Sequence, residues 1–410
     1  MQTKKSTAGV LKRCLSGFLA VAAVASSGIF LNPLKAEAAS PNVLSNSERG
    51  VIYANSRTDF RDESIYFMIV TRFYNGDESN DVQCWDGTQY NLNDPAWRGD
   101  FKGVIEKLDY IKALGFTSIW ITPVVENCSG YDYHGYHAFD MSKVDPRYES
   151  NDCTYQDLID ACHAKGMKVI QDVVFNHTGN FGERNLVPMF TKEGDLSSVD
   201  CLKRLPNSGL PDNYESLLPA RQYAARLALM KNTDGVNHDV NNLYHHFGNF
   251  NWDDYTCQIA QIAGDCVDLN TENPIVYNYL VDTYSKYIDM GVDAFRVDTT
   301  RHISRLTFNK VFNNAFKAAG ERNGKDFFMF GEVCTRDNGN VWYRQSPSMS
   351  TPFYTWKDTK DYPWSDTDWE VNYESAIQNT KDNSDNISEQ PTSQNALLDG
   401  NAVSYTHLTL

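Results

Sequence analysis

The 410-residue sequence predicts an α/β fold built on a parallel sheet, of the barrel rather than the doubly wound type. Three observations carry this. An amphipathic helix, a glycine and a short apolar strand follow one another four times along the chain. Several of those strands end in polar, chemistry-bearing residues, which is the habit of a barrel's C-terminal face. Two of the strand ends, at Asp298 and Glu332, carry carboxylates separated by one strand–helix–strand interval. A doubly wound sheet would share the rhythm; the recurrence of functional residues at strand ends favours the barrel.

Residues 1–38 read as a secretion signal. Lys4, Lys5, Lys12 and Arg13 form a basic start, residues 15–30 an apolar run, and Ala36-Glu37-Ala38 a small-residue cleavage site. The run is short for a membrane anchor. The mature protein is therefore expected to be secreted, extracellular and free of the membrane. Cys14 precedes the apolar run, not at a lipid-attachment position. Nine cysteines less Cys14 leave eight. Export makes disulfides an expectation, with Cys153/Cys162 and Cys257/Cys266 as close pairs, and eight cysteines leave the pairing open. At 41% hydrophobic the chain can build a sizeable core. A net charge of −16 argues against a nucleic-acid partner, whose phosphates would be repelled.

Residues 65–73 read as the first strand. The loop Asn75-Gly76-Asp77-Glu78-Ser79-Asn80-Asp81 follows, dense in oxygen donors and turned by a glycine. That composition suits a hard Ca²⁺ ion and equally a solvated acidic turn. Residues 101–114 are amphipathic, with Val104, Leu108 and Ile111 on one face; Gly115 ends the helix before strand 116–124. Thr154 and Asp157 stand in capping-box spacing at the head of helix 154–165, and Gly166 separates it from strand 167–175. Asn273 and Pro274 are an N-cap and an N1 proline; that helix runs to Met290, with Gly291 before strand 292–297. Helix 308–319 leads through Gly320 to strand 327–333. Between 178 and 267 no βα unit is visible, so this interval is a functional loop or a small domain. Residues 346–356 are a candidate sixth strand.

The chemistry concentrates at the last two of these strands. Arg296 and Asp298 are two apart and share a face. A guanidinium beside a carboxylate favours its charged form, as a nucleophile requires. Glu332 closes the neighbouring strand, where partial burial would raise its proton affinity. Paired carboxylates of this kind are the machinery of glycoside hydrolysis.

DVVFNH (172–177), GVDAFRVDTTRH (291–302) and FGEV (330–333) resemble three of the four signature segments of the α-amylase family of glycoside hydrolases, in the family's order. The resemblance covers residues 60–400. It implies a (β/α)8 TIM barrel, here incomplete at the C-terminus, with a small calcium-stabilised domain inserted after the third strand. Residues 39–177 would be the first part of the catalytic barrel, 178–267 the inserted domain, 268–402 the barrel continued, and 403–410 a tail outside it. The resemblance further implies retaining chemistry on starch, glycogen or maltodextrin, with Asp298 as nucleophile and Glu332 as general acid and base. Arg296 would hold the nucleophile, and Asp172 would buttress Arg296. His177 would bond the sugar. YDYHGYH (131–137) resembles a family segment in which Tyr136 stacks on the sugar and His134 bonds it.

By the same resemblance, one calcium would take Asn176, Asp268 and the backbone near His302, with Asp253 or Asp254 as a further ligand. A second would take Asn75, Asp77, Asn80, Asp81 and Asp100. Arg301 and His302, expected to bind substrate beyond the cleavage point, stand where the family has Lys-His; Arg is a planar fork where Lys is a point charge. Nothing after Glu332 matches the fourth segment, so the chain as written is expected to be an inactive fragment of a longer, active parent. The reading is a monomeric hydrolase of internal α-1,4 bonds. The alternatives are a glucanotransferase, a hydrolase of cyclic or short maltodextrins, and a non-catalytic glucan-binding homologue. The last would have no need of Asp298, Glu332 and Arg296 together.

Overall fold

The computed structural model describes residues 57–81, 98–128, 134–194, 201–248, 250–251, 255–263, 266–333, 360–384 and 403–405. Strand β1 (Ile65–Met68) leads through the loop at Asn75–Asp81 to helix α1 (Phe101–Ala113) and β2 (Ser118–Ile121). A hairpin of β3 (Val125–Asn127) and β4 (Ala138–Val144) precedes α2 (Tyr155–Ala164) and β5 (Lys168–Val174). The long interval that follows holds β6 (His177–Thr178), β7 (Phe190–Lys192), β8 (Leu202–Arg204), α3 (Pro219–Lys231) and β9 (Val267–Asp268). Alternation resumes with α4 (Pro274–Met290), β10 (Ala294–Asp298), α5 (Asn313–Arg322) and β11 (Phe328–Glu332), followed by α6 (Trp369–Ser384) and β12 (Val403–Tyr405).

Six strands form one sheet in the order β1-β2-β5-β10-β11-β12. Every pairing in it is parallel. Among the described residues β1 and β12 are its two edges, and the sheet does not close into a barrel. Among the described residues the strands of the interval after β5 pair antiparallel, β6 with β9 and β7 with β8, beside one isolated parallel bridge between Phe247 and Ala260. This interval adds no strand to the main sheet among the described residues, in keeping with the absence of βα rhythm in its sequence.

Side chains of a strand alternate between faces, and the sheet uses both. One face carries Ile119, Ile121, Val169, Val173, Phe295, Val297 and Met329, packed against Leu108, Leu158, Leu280 and Phe316 of the helices. The other carries a smaller apolar group, Trp120, Ile170, Ala294 and Phe330. Asp172, Arg296, Asp298 and Glu332 continue this second face by period two toward the C-terminal strand ends. The sequence signals at the helix starts are realised. Asp100 accepts the Gly103 N–H at 2.7 Å, Thr154 and Asp157 form a reciprocal capping box, and Asn273 accepts the Ile275 N–H at 2.9 Å. Gly291 ends α4 at φ 120°, a conformation that a side chain would oppose.

Four expectations are corrected. The first strand stops at Met68, because the chain tightens into a 3-10 turn in which Arg72 N–H donates to Ile69 O at 2.9 Å. The second stops at Ile121, two residues before Pro123, which has no N–H for a ladder. The helix expected over 308–319 starts earlier, at Arg305–Thr307, passes through a π turn at Phe308–Phe312 and continues as α5. The close cysteine pairs are not disulfides: Cys153, Cys162 and Cys266 are all free thiols. Cys162 is packed inside α2 against the core, and Cys266 turns to His137 instead of Cys257.

The candidate strand at 346–356 lies outside the described residues. The sixth strand observed is β12, in the segment read from sequence as a tail. Among the described residues no helix is long and apolar enough to cross a membrane.

Candidate active site

β10 pairs with β5 so that Arg296 stands opposite Asp172, and with β11 so that it stands opposite Phe330. This register sets one guanidinium among three carboxylates. Arg296 Nη1 donates to Asp172 Oδ1 and Oδ2 at 3.1 and 3.0 Å, and to Asp298 Oδ1 at 2.8 Å. Arg296 Nη2 lies 3.2 Å from Glu332 Oε2. Asp172 is completely buried and takes two further donors on Oδ2, Trp120 Nε1 at 3.1 Å and the Tyr136 hydroxyl at 3.0 Å. The guanidinium also sits over the Trp120 ring, 5.2 Å from its centroid.

Two of the acids around this base, Asp172 and Glu332, hold their protons tightly. Burial raises Asp172, and the Asp298 charge adds to it; Arg296 opposes both without cancelling them. Glu332 is likewise raised by burial first and by Asp298 second, against Arg296 and the Thr299 N–H. Glu332 is the more open of the two, with 38% of its side chain exposed. For Arg296, burial works against the charge, but the surrounding carboxylates outweigh it and hold the guanidinium protonated.

Of the loop residues read from the sequence, Tyr136 bonds this cluster directly, through Asp172. Tyr136 and His134 are half-buried, with ring centroids 5.5 Å apart, and Tyr136 N–H donates to His134 Nδ1 at 3.1 Å. His177 is buried, its Nε2 3.1 Å from Tyr136 O. Arg301 is wholly buried and His302 nearly so. The His302 ring faces the Cys257 carbonyl through Nδ1 at 2.8 Å, and burial together with the Arg301 charge brings it down to about 4. Tyr131 and Tyr133 lie outside the described residues, as do Asp253 and Asp254.

The residues read as calcium ligands fall into two groups, of which the first brings together Asn176 and Asp268. In the first, β6 sets His177 opposite Asp268, and Leu269 N–H donates to Asn176 O at 2.8 Å. Asp268 gives one oxygen to His245 at 2.7 Å, while its Oδ1 is buried without a hydrogen-bond partner. In the second, Asp100 gathers the N–H groups of Gly76, Asp77 and Gly103 and the Asn80 amide. Asn75 bonds Asp81 at 3.0 Å, and Asn80 Oδ1 is buried without a partner. Orphaned, buried hard oxygens fit a calcium ion. Among the described residues no three His, Cys, Asp or Glu side chains form a metal-holding group, so a cation would also depend on asparagine and backbone oxygens.

Sequence reasoning missed four residues. Trp120 shows only as one apolar residue of a buried strand. Thr299 and Gly331 flank the two carboxylates and contact the neighbouring strand's turn and acid. Cys266 Sγ lies 3.3 Å from His137 Nε2; burial pushes this thiol up, but the His177 charge and bonds from His137 and His177 outweigh it and bring it to about 7.

A family model for the α-amylase catalytic domain matches residues 67–399. An α-amylase of Streptomyces lividans is 31% identical over 382 residues, covering 85% of this chain and 39% of that protein. A cyclomaltodextrin glucanotransferase of Klebsiella oxytoca is 30% identical over 304 residues, covering 72% and 40%. A solved structure, described as the first cyclomaltodextrin glucanotransferase with a three-domain ABC distribution, aligns with a TM-score of 0.50 at 27% identity, over 72% of this chain and 54% of that one. This chain spans about two fifths of the length of those curated relatives. The matches imply a (β/α)8 barrel, of which the described residues show a six-stranded open parallel sheet. With the family model running through every strand from β2 to β11 and through the carboxylate cluster, the chain belongs to the α-amylase family of glycoside hydrolases.

Proposed function

We propose that the protein is an extracellular retaining glycoside hydrolase acting on internal α-1,4 bonds of starch-like glucans. One observation carries this reading: Asp298 and Glu332, at the C-terminal ends of adjacent parallel strands, both touch the Arg296 guanidinium. Asp298 attacks the anomeric carbon while Glu332, its proton held by burial, gives that proton to the leaving oxygen. Glu332 then takes a proton from the water that releases the glycosyl-enzyme. Asp172, Trp120 and Tyr136 keep Arg296 in place. Tyr136, His134 and His177 line the sugar's side of the cluster, and Arg301 and His302 act on the side beyond the cleaved bond. The presence of Asp298, Glu332 and Arg296 together speaks against a non-catalytic glucan-binding role.

Calcium, when bound, supplies charge that ties loops together at two places. Asn176, Asp268 and the His302 backbone would hold one ion; Asn75, Asp77, Asn80, Asp81 and Asp100 would hold the other. Secretion is supported by the basic start, apolar run and small-residue site of residues 1–38, and a monomer is the form proposed.

The test is proton NMR of the first product formed from maltoheptaose. Release of the α-anomer, lost in Asp298→Asn and Glu332→Gln, is expected; release of the β-anomer would exclude retention. A second reading, transfer to sugar acceptors, is favoured by the glucanotransferases among the relatives. Water and sugar compete for the same intermediate, so chromatography of products from starch separates the two: cyclic and lengthened glucans for transfer, short linear ones for hydrolysis.

A further inference from the structure

We infer that the turn Thr299–Thr300 is a positioning device for Glu332, seated on β11 through Gly331. The inference rests on Glu332 being the acid and base, and it adds residues that neither contact with the sugar nor the paired carboxylates would require.

Thr299 directly follows Asp298 and takes φ 51°, ψ 30°. This left-handed conformation is rare for a β-branched residue and persists only where its surroundings hold it. It reverses the chain at the end of β10 and brings the Thr299 N–H to 3.2 Å from Glu332 Oε2. Thr300 closes the turn. Its hydroxyl donates to Val297 O at 2.9 Å, and its side chain, wholly inside the protein, lies over Gly331. A Cβ at residue 331 would meet Thr300 Cβ and Cγ2, both at 2.8 Å. Gly331 sits in ordinary strand pairing with Val297 and has no positive φ. Its glycine is therefore explained by space, the space that Thr300 occupies.

Two groups thus converge on Glu332 Oε2 from the same strand end, each at 3.2 Å: Arg296 Nη2 as an ion-pair partner and the Thr299 N–H as a hydrogen-bond donor. A point charge alone would leave the carboxyl free to rotate; a second, directional donor fixes its plane. The charged groups facing Glu332 are Asp298 and Arg296 on β10, with Asp172 on β5 behind the same guanidinium. The turn after the nucleophile therefore sets the orientation of the acid on the next strand.

The experiment is NMR of the full chain labelled with ¹⁵N-threonine and ¹³C-carboxyl glutamate, the Glu332 signal being identified by its absence in Glu332→Gln. The Thr299 amide is expected to move with the Glu332 titration and to stop moving in Glu332→Gln. In Gly331→Ala the added methyl displaces Thr300. Glu332 should then titrate higher, having lost a donor to its charged form, and Thr299 should no longer follow it. Adding Thr300→Gly to Gly331→Ala reopens the space and should restore both signals. If Gly331→Ala does not fold, the wild-type and Glu332→Gln titrations decide alone. A Thr299 amide indifferent to Glu332, or a folded Gly331→Ala with an unmoved Glu332 titration, overturns the inference. Hydrolysis that survives Glu332→Gln would instead overturn the catalytic reading, and the amide titration would still judge the turn.

Discussion

Asp172 and Arg296 face each other in register across β5 and β10, with the guanidinium 3.0 Å from Asp172 Oδ2. Trp120 and Tyr136 bond that same oxygen, and no part of Asp172 is exposed. Asp172 thus acts as a brace: it holds the cation that in turn holds the two outer carboxylates. Removing it acts on the chemistry through Arg296.

Asp172→Ala leaves a buried guanidinium short of a partner, along with an indole N–H and a phenol. Loss of one side of a buried ion pair costs about 3–5 kcal/mol. Urea denaturation should show a loss of that order. A variant as stable as the parent would mean that the brace carries no weight.

The proton on Asp172 links stability to pH. The folded chain binds this proton more tightly than the unfolded chain, chiefly through burial. For a carboxyl raised on folding, the stabilising contribution is complete below the unfolded pKa, here 3.8, and is lost as pH rises toward about 7. Denaturation midpoints measured between pH ~4.5 and ~7.5 should fall, and fall less in Asp172→Asn. Parallel profiles for the two proteins would place the titration elsewhere.

Asp298→Asn removes the charge that, after burial, does most to raise Glu332. Glu332 should therefore titrate lower in that variant, as seen in its ¹³C-carboxyl signal. The same variant should lose nearly all hydrolysis while still binding glucan. An unchanged Glu332 titration would show that the two carboxylates do not sense each other.

Calcium should stabilise the fold by mass action, by about 2.7 kcal/mol at a hundredfold excess over its dissociation constant. EGTA is expected to lower the melting temperature. Asp268→Asn, which alters the carboxylate bearing the orphaned oxygen, should blunt that response. A melt indifferent to EGTA in the parent protein would count against both ions.

Much of the architecture is written locally. Capping at Thr154 and Asn273, the glycines at 115, 166 and 291 and the apolar periods place α1, α2, α4, the start of β1 and the strands β2, β5, β10 and β11 to within a few residues. The shared face of Arg296 and Asp298 follows from strand period alone, and their contact at 2.8 Å realises it. Such features depend on neighbours in the chain, so the sequence determines them by itself.

What only the tertiary structure decided depends on register between strands far apart in sequence. Trp120 reaches Asp172 across 52 residues, Arg296 reaches it across 124, and Cys266 meets His137 across 129. Residue types at those positions permit these contacts without specifying them, because a shift of register would turn each side chain to the other face. The same holds for the turn at Thr299. Its left-handed backbone is not a preference of threonine, and it accompanies the seating of Thr300 over Gly331 of the next strand. Local chemistry determined which groups the site contains; packing between distant strands decided how they are aimed.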